Sequence, residues 1–319
     1  MKYILSVVMV LFYFTNVYAE EVSWEDNKFS ISAGFGLMAG HTTYQIGGHV
    51  DTPQGSDDIH FPLSELKFPL DVYIGALNGA VKLNEKWKIK AGLKKNITSE
   101  SGKMEDSDWG ILYLEGEPGA DPDSLDIYSE SDTEVDLFIM DIAARYYFNE
   151  KTHKRLKFLF FIGGRYIYQK FDFDVSDLDQ WYPSRPYLEH DYVSGKVLTY
   201  EVTKHIPALI IGTELFTKGN LSLDAVLGYS PIVTVEDEDN HILRDKISKA
   251  ECDGDATLFS LAGSYNFHSR WAFELRFDYM SIDTKGDEKQ YDEGQYSATI
   301  DQKNFSEIAI YGLNITYLF

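Results

Sequence analysis

The chain closes on an alternating pattern. From Phe305 to Phe319, FSEIAIYGLNITYLF, apolar side chains recur at Phe305, Ala309, Tyr311, Leu313, Ile315, Tyr317 and Phe319, with Ser306, Gly312, Asn314 and Thr316 between them. A period of two belongs to a strand with one greasy and one mostly polar face. The same rhythm predicts ten strands, at about 29–47, 64–83, 87–105, 131–148, 155–175, 196–217, 221–239, 256–267, 270–288 and 303–319. Short connections at 83–86, 148–155, 217–220 and 266–270 alternate with longer ones at about 48–63, 98–130, 176–195, 240–255 and 289–302. An even number of antiparallel strands with short turns at one end and five long loops at the other predicts an all-β, closed barrel. Closure satisfies every backbone group and leaves no open edge.

The N-terminus sets the compartment. Met1-Lys2 is a short basic start, YILSVVMVLFYF is an apolar run, and Val17-Tyr18-Ala19 precedes Glu20. Such a run is too short to span a bilayer and reads as a signal peptide over residues 1–19, leaving 20–319 as the barrel. A last strand with aromatics on its greasy face and a terminal Phe resembles the assembly signal of bacterial outer-membrane barrels. That resemblance implies the outer membrane of a Gram-negative cell, short turns in the periplasm and long loops outside. Cys252 is the only cysteine, so the fold must stand without an internal disulfide.

Charge narrows the partners. The formal net charge is −22, and between Thr98 and Asp136 stand thirteen Asp or Glu against the single Lys103. Such a field repels polyanions, which excludes nucleic acid, and attracts cationic peptides. Most of these carboxylates read simply as a solvated surface. No His/Cys cluster has zinc spacing and no calcium-loop motif is present, so no metal is expected.

Two short motifs stand out against that acidic background. In the predicted third strand Trp87, Ile89, Ala91 and Leu93 share the lipid-type face and Lys88, Lys90 and Lys94 the other; continued upward, this register aims Asp106 and Asp108 of KMEDSDWGI into the barrel. In VEDEDNHILR, Asp239 and His241 also lie two apart. Their strand has Leu221, Leu223, Ala225, Leu227 and Tyr229 on the odd, apolar face, so both would point outward unless a bulge intervenes. Ser230-Pro231 is the natural place for one, because proline cannot sustain the ladder. An Asp–His pair facing an Asp–Asp pair across a barrel mouth can activate water: the histidine takes its proton, and two close carboxylates that resist double ionisation can hold one proton for the oxyanion. Cys252 has no histidine partner in sequence that would make it a nucleophile.

At these residues the chain resembles the omptins, ten-stranded outer-membrane endopeptidases of Gram-negative bacteria. The resemblance is carried by ISAGFGLMAGHT, MEDSDW, DEDNH and GLNITYLF. It implies an aspartate/histidine endopeptidase with Asp106, Asp108, Asp239 and His241 catalytic, Met104 and Asp237 beside the substrate, and lipopolysaccharide bound to the outer wall as activator. Omptins cut between basic residues with two acids at the pocket floor; Asp237 matches one, whereas Tyr44 stands at the position of the other. Cationic peptides or surface-exposed proteins, chosen less strictly at the residue before the cut, are the implied substrates. Two other functions fit the same barrel. A non-catalytic adhesin or invasin would act through its loops, and a small channel would need an open lumen, which ten strands with inward lysines do not favour.

Overall fold

In the computed structural model, residues 28–153, 155–218 and 220–319 are described; the predicted signal peptide lies outside them. The described residues form twelve antiparallel strands: β1 (Phe29–Thr52), β2 (Gly55–Pro69), β3 (Val72–Lys82), β4 (Trp87–Asn96), β5 (Glu100–Trp109), β6 (Leu125–His153), β7 (Leu156–Trp181), β8 (Asp191–Thr217), β9 (Leu221–His241), β10 (Lys246–His268), β11 (Trp271–Asp292) and β12 (Gln295–Leu318). Pairing of β12 with β1 closes the sheet into a ring.

Twelve strands replace the ten expected because two predicted strands are each broken. Pro69 lacks an amide hydrogen, and after it Leu70 and Asp71 separate β2 from β3. Ile97 to Ser99 separate β4 from β5, and there side chains take over the ladder: Asn96 Nδ2 donates to the Val135 carbonyl (2.8 Å), and Leu137 N donates to Asn96 Oδ1 (3.0 Å). The ring still has ten staves at any height, with β3 and β4 filling two of them in the lower barrel and β2 and β5 in the upper.

The expectation of five long loops is also corrected. Strands run through most of those segments, and β1–β2, β9–β10 and β11–β12 end in tight reversals at Thr52/Gly55, His241/Lys246 and Asp292/Gln295. The outer face of these upper extensions stands in water and is polar, so the apolar outer stripe that marks a membrane strand in sequence is lost, although Cys252 and Ile300 are buried on the inner face. True loops remain at 110–124, which holds the one-turn helix α1 (Ile111–Leu114), and at 182–190.

Outward positions in the lower barrel form the apolar band, with Phe35, Tyr73, Leu77, Leu209, Ile211, Leu227 and Ile315 exposed. Trp87–Tyr146 and Trp271–Tyr317 ring pairs lie near its turn end, with centroids 5.2 and 4.9 Å apart. Inside the lower barrel, Arg145 Nη1 meets Glu214 Oε1 and Asp224 Oδ2, each at 2.9 Å, while Lys88 reaches Glu214 (3.0 Å) and Lys90 reaches Asp224 (2.8 Å). Above this ionic layer the lumen is filled by rings: Phe68 packs on Tyr200 at 4.5 Å and on Phe173 at 4.9 Å, and Tyr44 on Tyr200 at 5.2 Å. A conducting pore has no room there.

Arg145 is the cation shared by two buried carboxylates, so Arg145→Ala should lower stability by about 3–5 kcal/mol, read from denaturant unfolding of the detergent-folded barrel. A change under about 1 kcal/mol, the range of exposed ion pairs, would contradict the account of this layer.

Candidate active site

The ladder decides which side chains reach the mouth. Along lower β9 the even residues are inward, but Pro231 and Ile232 are both exposed, and above them Val233, Val235, Asp237 and Asp239 are buried. Pairing with β10 jumps from Gly254/Val233 to Ala256/Ser230, so two residues of β9 oppose one of β10. On the other side, pairing with β8 lapses between His205 and Leu209, around Pro207. Prolines on both strands remove donors at one height, and the resulting bulge reverses the parity that would have sent Asp239 outward.

Two irregularities act on β4 and β5 and cancel. The break at Ile97–Ser99 makes odd-numbered Ser101 buried, and the register shift between Glu100 and Gly102 returns even residues to the interior, with Met104 buried. Asp106 and Asp108 therefore face inward from β5.

Both pairs meet at one cavity. It measures about 140 Å³ and is lined by Asp106 and Asp108 from β5 and His241 from β9, with Tyr44 on a further wall. His241 Nε2 lies 2.9 Å from Asp239 Oδ2, and the same oxygen accepts a hydrogen bond from the Tyr44 hydroxyl. With Nε2–H donated to Asp239, Nδ1 is the nitrogen left to accept a proton. Burial alone would lower the His241 pKa, but the charge and hydrogen bond of Asp239, helped by Asp106, raise it above the ordinary value.

Asp106 and Asp108 behave as a pair. Burial and then the neighbouring Asp108 push the Asp106 carboxyl well up, against the pull of His241 and Arg244; burial also raises Asp108, against a hydrogen bond from Ser64. Burial of both, and the charge of Asp108 on Asp106, favour a protonated carboxyl here near neutrality. Asp106 Oδ1 and Asp239 Oδ1 are buried without a hydrogen-bond partner, so each has a lone pair available to a water or a substrate group.

The three residues expected beside the substrate have different fates. Tyr44 lines the cavity, where its hydroxyl holds Asp239. Met104 is 2% exposed and belongs to the packed core below. Asp237 lies beneath the cavity: its Oδ2 accepts hydrogen bonds from Gln302 (2.7 Å), Asn304 (3.3 Å) and Tyr200 (3.3 Å). Burial, followed by the charge of Glu288, pushes the Asp237 carboxyl up to about 8. Cys252 is fully buried and burial drives its thiol pKa far up, which removes it as a nucleophile.

Sequence reasoning missed Glu288, Ser248, Arg244 and Lys246, all on the cavity wall. A signal for Glu288 existed: Phe273, Leu275, Phe277 and Tyr279 put the apolar face of that strand on odd positions, which turns even-numbered Glu288 inward. No comparable signal marked Arg244 and Lys246, which lie at a turn that had been read as a loop. Tyr44→Phe removes the second hydrogen bond to Asp239, an interaction with a charged acceptor worth roughly 1.5–3 kcal/mol. It should lower kcat at least about tenfold with little change in KM, measured on the folded barrel; an unchanged kcat would show that Tyr44 only fills space.

The model of the Omptin family matches residues 25–317. Comparison with curated proteins gives no match. Among solved structures, the outer membrane protease OmpT from Escherichia coli is similar over 96% of this chain and 100% of its own, at 16% identity and a TM-score of 0.72, which supports the fold. The outer membrane protein OprG from Pseudomonas aeruginosa covers 94% of this chain and 99% of its own at 11% identity, with a TM-score of only 0.43. Nearly the whole described barrel thus falls within one family model, and the chain belongs to the omptin family of Gram-negative outer-membrane β-barrels.

Proposed function

We propose that the protein is an omptin-type endopeptidase that cleaves cationic peptides or surface-exposed proteins by attack of water held between His241 and Asp106. The observation that carries this reading is the convergence of the His241–Asp239 pair and the Asp106–Asp108 pair on one cavity. Water bridging His241 Nδ1 and the free Asp106 oxygen loses its proton to the imidazole as its oxygen attacks the peptide carbonyl. Asp239, anchored by Tyr44, stabilises the imidazolium that forms. The proton shared by Asp106 and Asp108 is available to the oxyanion. Collapse of the tetrahedral intermediate breaks the C–N bond, and the imidazolium returns its proton to the leaving amine. The acidic upper barrel supplies the attraction for cationic substrates.

Lipopolysaccharide is part of this reading only as an outer-wall activator. On the outer wall Lys95 is engaged by Asp136 (3.1 Å), Lys170 by Glu201 (3.1 Å), Lys303 by Asp283 (3.2 Å) and Lys103 by Asp132 (3.4 Å), whereas Lys285, opposite Lys303, and Lys289 make no ion pair among the described residues. No step of the chemistry is routed through the lipid. Activity is therefore to be compared with and without it.

The test is cleavage of a quenched, lysine- and arginine-rich peptide by the refolded barrel. His241→Ala and Asp106→Asn should each lower kcat by at least about 10²-fold, the scale of general acid–base assistance, while both variants remain folded. Equal cleavage by all three proteins would remove His241 and Asp106 from the mechanism, and absence of cleavage in all three would sink the endopeptidase reading and favour an adhesin.

The pH profile follows from the same groups. The reaction needs neutral His241, whose pKa is raised, so activity should appear as pH climbs past a midpoint above 6.5. It also needs the one proton retained by Asp106 and Asp108, whose pKa values are raised, so activity should fall again on the alkaline side. A profile of kcat/KM against pH that keeps rising with no alkaline limb would contradict the shared proton.

A further inference from the structure

Charge is unevenly placed on the cavity wall, in a way the catalytic step does not use. Glu288 is 2% exposed and faces inward from β11. Its carboxylate accepts a hydrogen bond from Gln290 Nε2 at 2.7 Å and another from Ser248, and it has no ion-pair partner among the described residues. Across the ladder, Glu288 faces Ala250 of β10, and Ala250 faces Asp237 of β9. The small, buried Ala250 is the one residue between them on that row of the sheet. Burial raises the pKa of both, and each is in the other's field or that of Asp239. Neither acid makes an ion pair among the described residues, although the charge of Lys246 reaches Glu288 and buried Lys204 lies in the field of Asp237; a cation that enters from outside would relieve the pair further.

The rim has the opposite sign. Arg244 and Lys246 follow His241 through the turn at Asp245, whose φ of 49° reverses the chain so that Lys246 pairs in register with His241. Both line the cavity, and neither makes an ion pair among the described residues. Lys246 and Ala250 are four residues apart on β10, so the backbone rows of Lys246 and Glu288 are about 13 Å apart at strand rise, while their side chains share the cavity and the Lys246 charge reaches Glu288. The catalytic His241 lies on the Lys246 row, and Asp239 lies between rim and floor.

An extended peptide crossing this cavity sends successive side chains to opposite sides. We propose that the site selects a mixed-charge pair at the scissile bond, a basic side chain descending toward Glu288 and an adjacent acidic side chain turned up to Arg244 and Lys246. A second basic residue at that place would meet two cations and be disfavoured, since like charges brought together at an interface cost several kcal/mol. This choice rests on the endopeptidase reading and adds the substrate sequence to it. It also gives a role to Glu288, on a different strand from Tyr44, as the residue that charges the pocket.

The experiment is a set of quenched peptides identical except at the two residues flanking the cut, with Arg-Glu, Glu-Arg, Arg-Arg, Arg-Ala and Ala-Ala in turn, and with cleavage sites read by mass spectrometry. Wild-type barrel should cut a mixed-charge pair about tenfold faster than Arg-Arg, a difference of about 1.4 kcal/mol. The double variant Arg244→Gln/Lys246→Gln should lose that preference, and Glu288→Gln should lose the preference for a basic over a neutral residue. If wild type cuts Arg-Arg as fast as the mixed pairs, or if the Arg244/Lys246 double variant keeps the wild-type preference, the proposal is overturned while the endopeptidase reading stands. Failure of wild type to cut any peptide in the set overturns both. Heat-dependent gel migration reports whether each variant is folded, and the wild-type ratios decide the matter even if a variant is not.

Discussion

In a closed antiparallel ladder each residue points either in or out, and only an irregularity in the ladder can change which. That constraint governs this molecule from the lipid band to the cavity. It puts Lys88, Lys90 and Arg145 inside, where Glu214 and Asp224 neutralise them, and Leu209, Leu227 and Ile315 outside, against lipid. It would also have put Asp239 and His241 on the outer surface. The bulge at Pro231-Ile232, opposite the gap at Pro207, turns the upper part of β9 by one position and brings the pair to the mouth. Local disruption of pairing is thus the structural origin of the candidate site.

Once the two pairs face each other, electrostatics sets what they can do. Asp239 is committed: one oxygen is held by both His241 and Tyr44, so the histidine's orientation and proton acceptor are fixed before any substrate arrives. Asp106 and Asp108 are not neutralised by an ion pair, and burial beside each other keeps a proton on the pair. In the proposed mechanism a base and an acid would therefore coexist at one pH through their surroundings and not through their side-chain types. The ring layer of Tyr44, Phe68, Phe173 and Tyr200 seals the floor beneath them and keeps the site from becoming a channel.

Much of this was legible in the sequence, and the failures have physical causes. Alternation in segments such as 305–319 located the staves because lipid on one side and a packed polar interior on the other leave a period of two. It gave ten strands, since a break such as Leu70-Asp71 or Ile97–Ser99 interrupts the ladder without interrupting the stave. Above the membrane the outer face meets water, the pattern fades, and strand extensions such as 48–63 read as loops. For the site, parity carried Asp106 and Asp108 inward, although the true path includes two slips that cancel; a proline flagged the bulge in β9. Pocket depth was beyond parity. Whether Asp237 or Glu288 reaches the cavity depends on which side chains fill the space around them, and there Tyr44, at the position expected for a second acid, instead lines the cavity and holds Asp239, while Tyr200 holds Asp237.

The central claim is that His241 and Asp106 act on one water as a unit, and a double-mutant cycle measures this most directly. Rates of His241→Ala, Asp106→Asn and the double variant should be compared on one cationic peptide with all three folded. Groups that activate the same water fail together, so the double variant should be no slower than the slower single variant within about threefold. Losses that multiply, each variant reducing the rate by its own factor in the absence of the other residue, would contradict a shared water and separate the two pairs into independent sites.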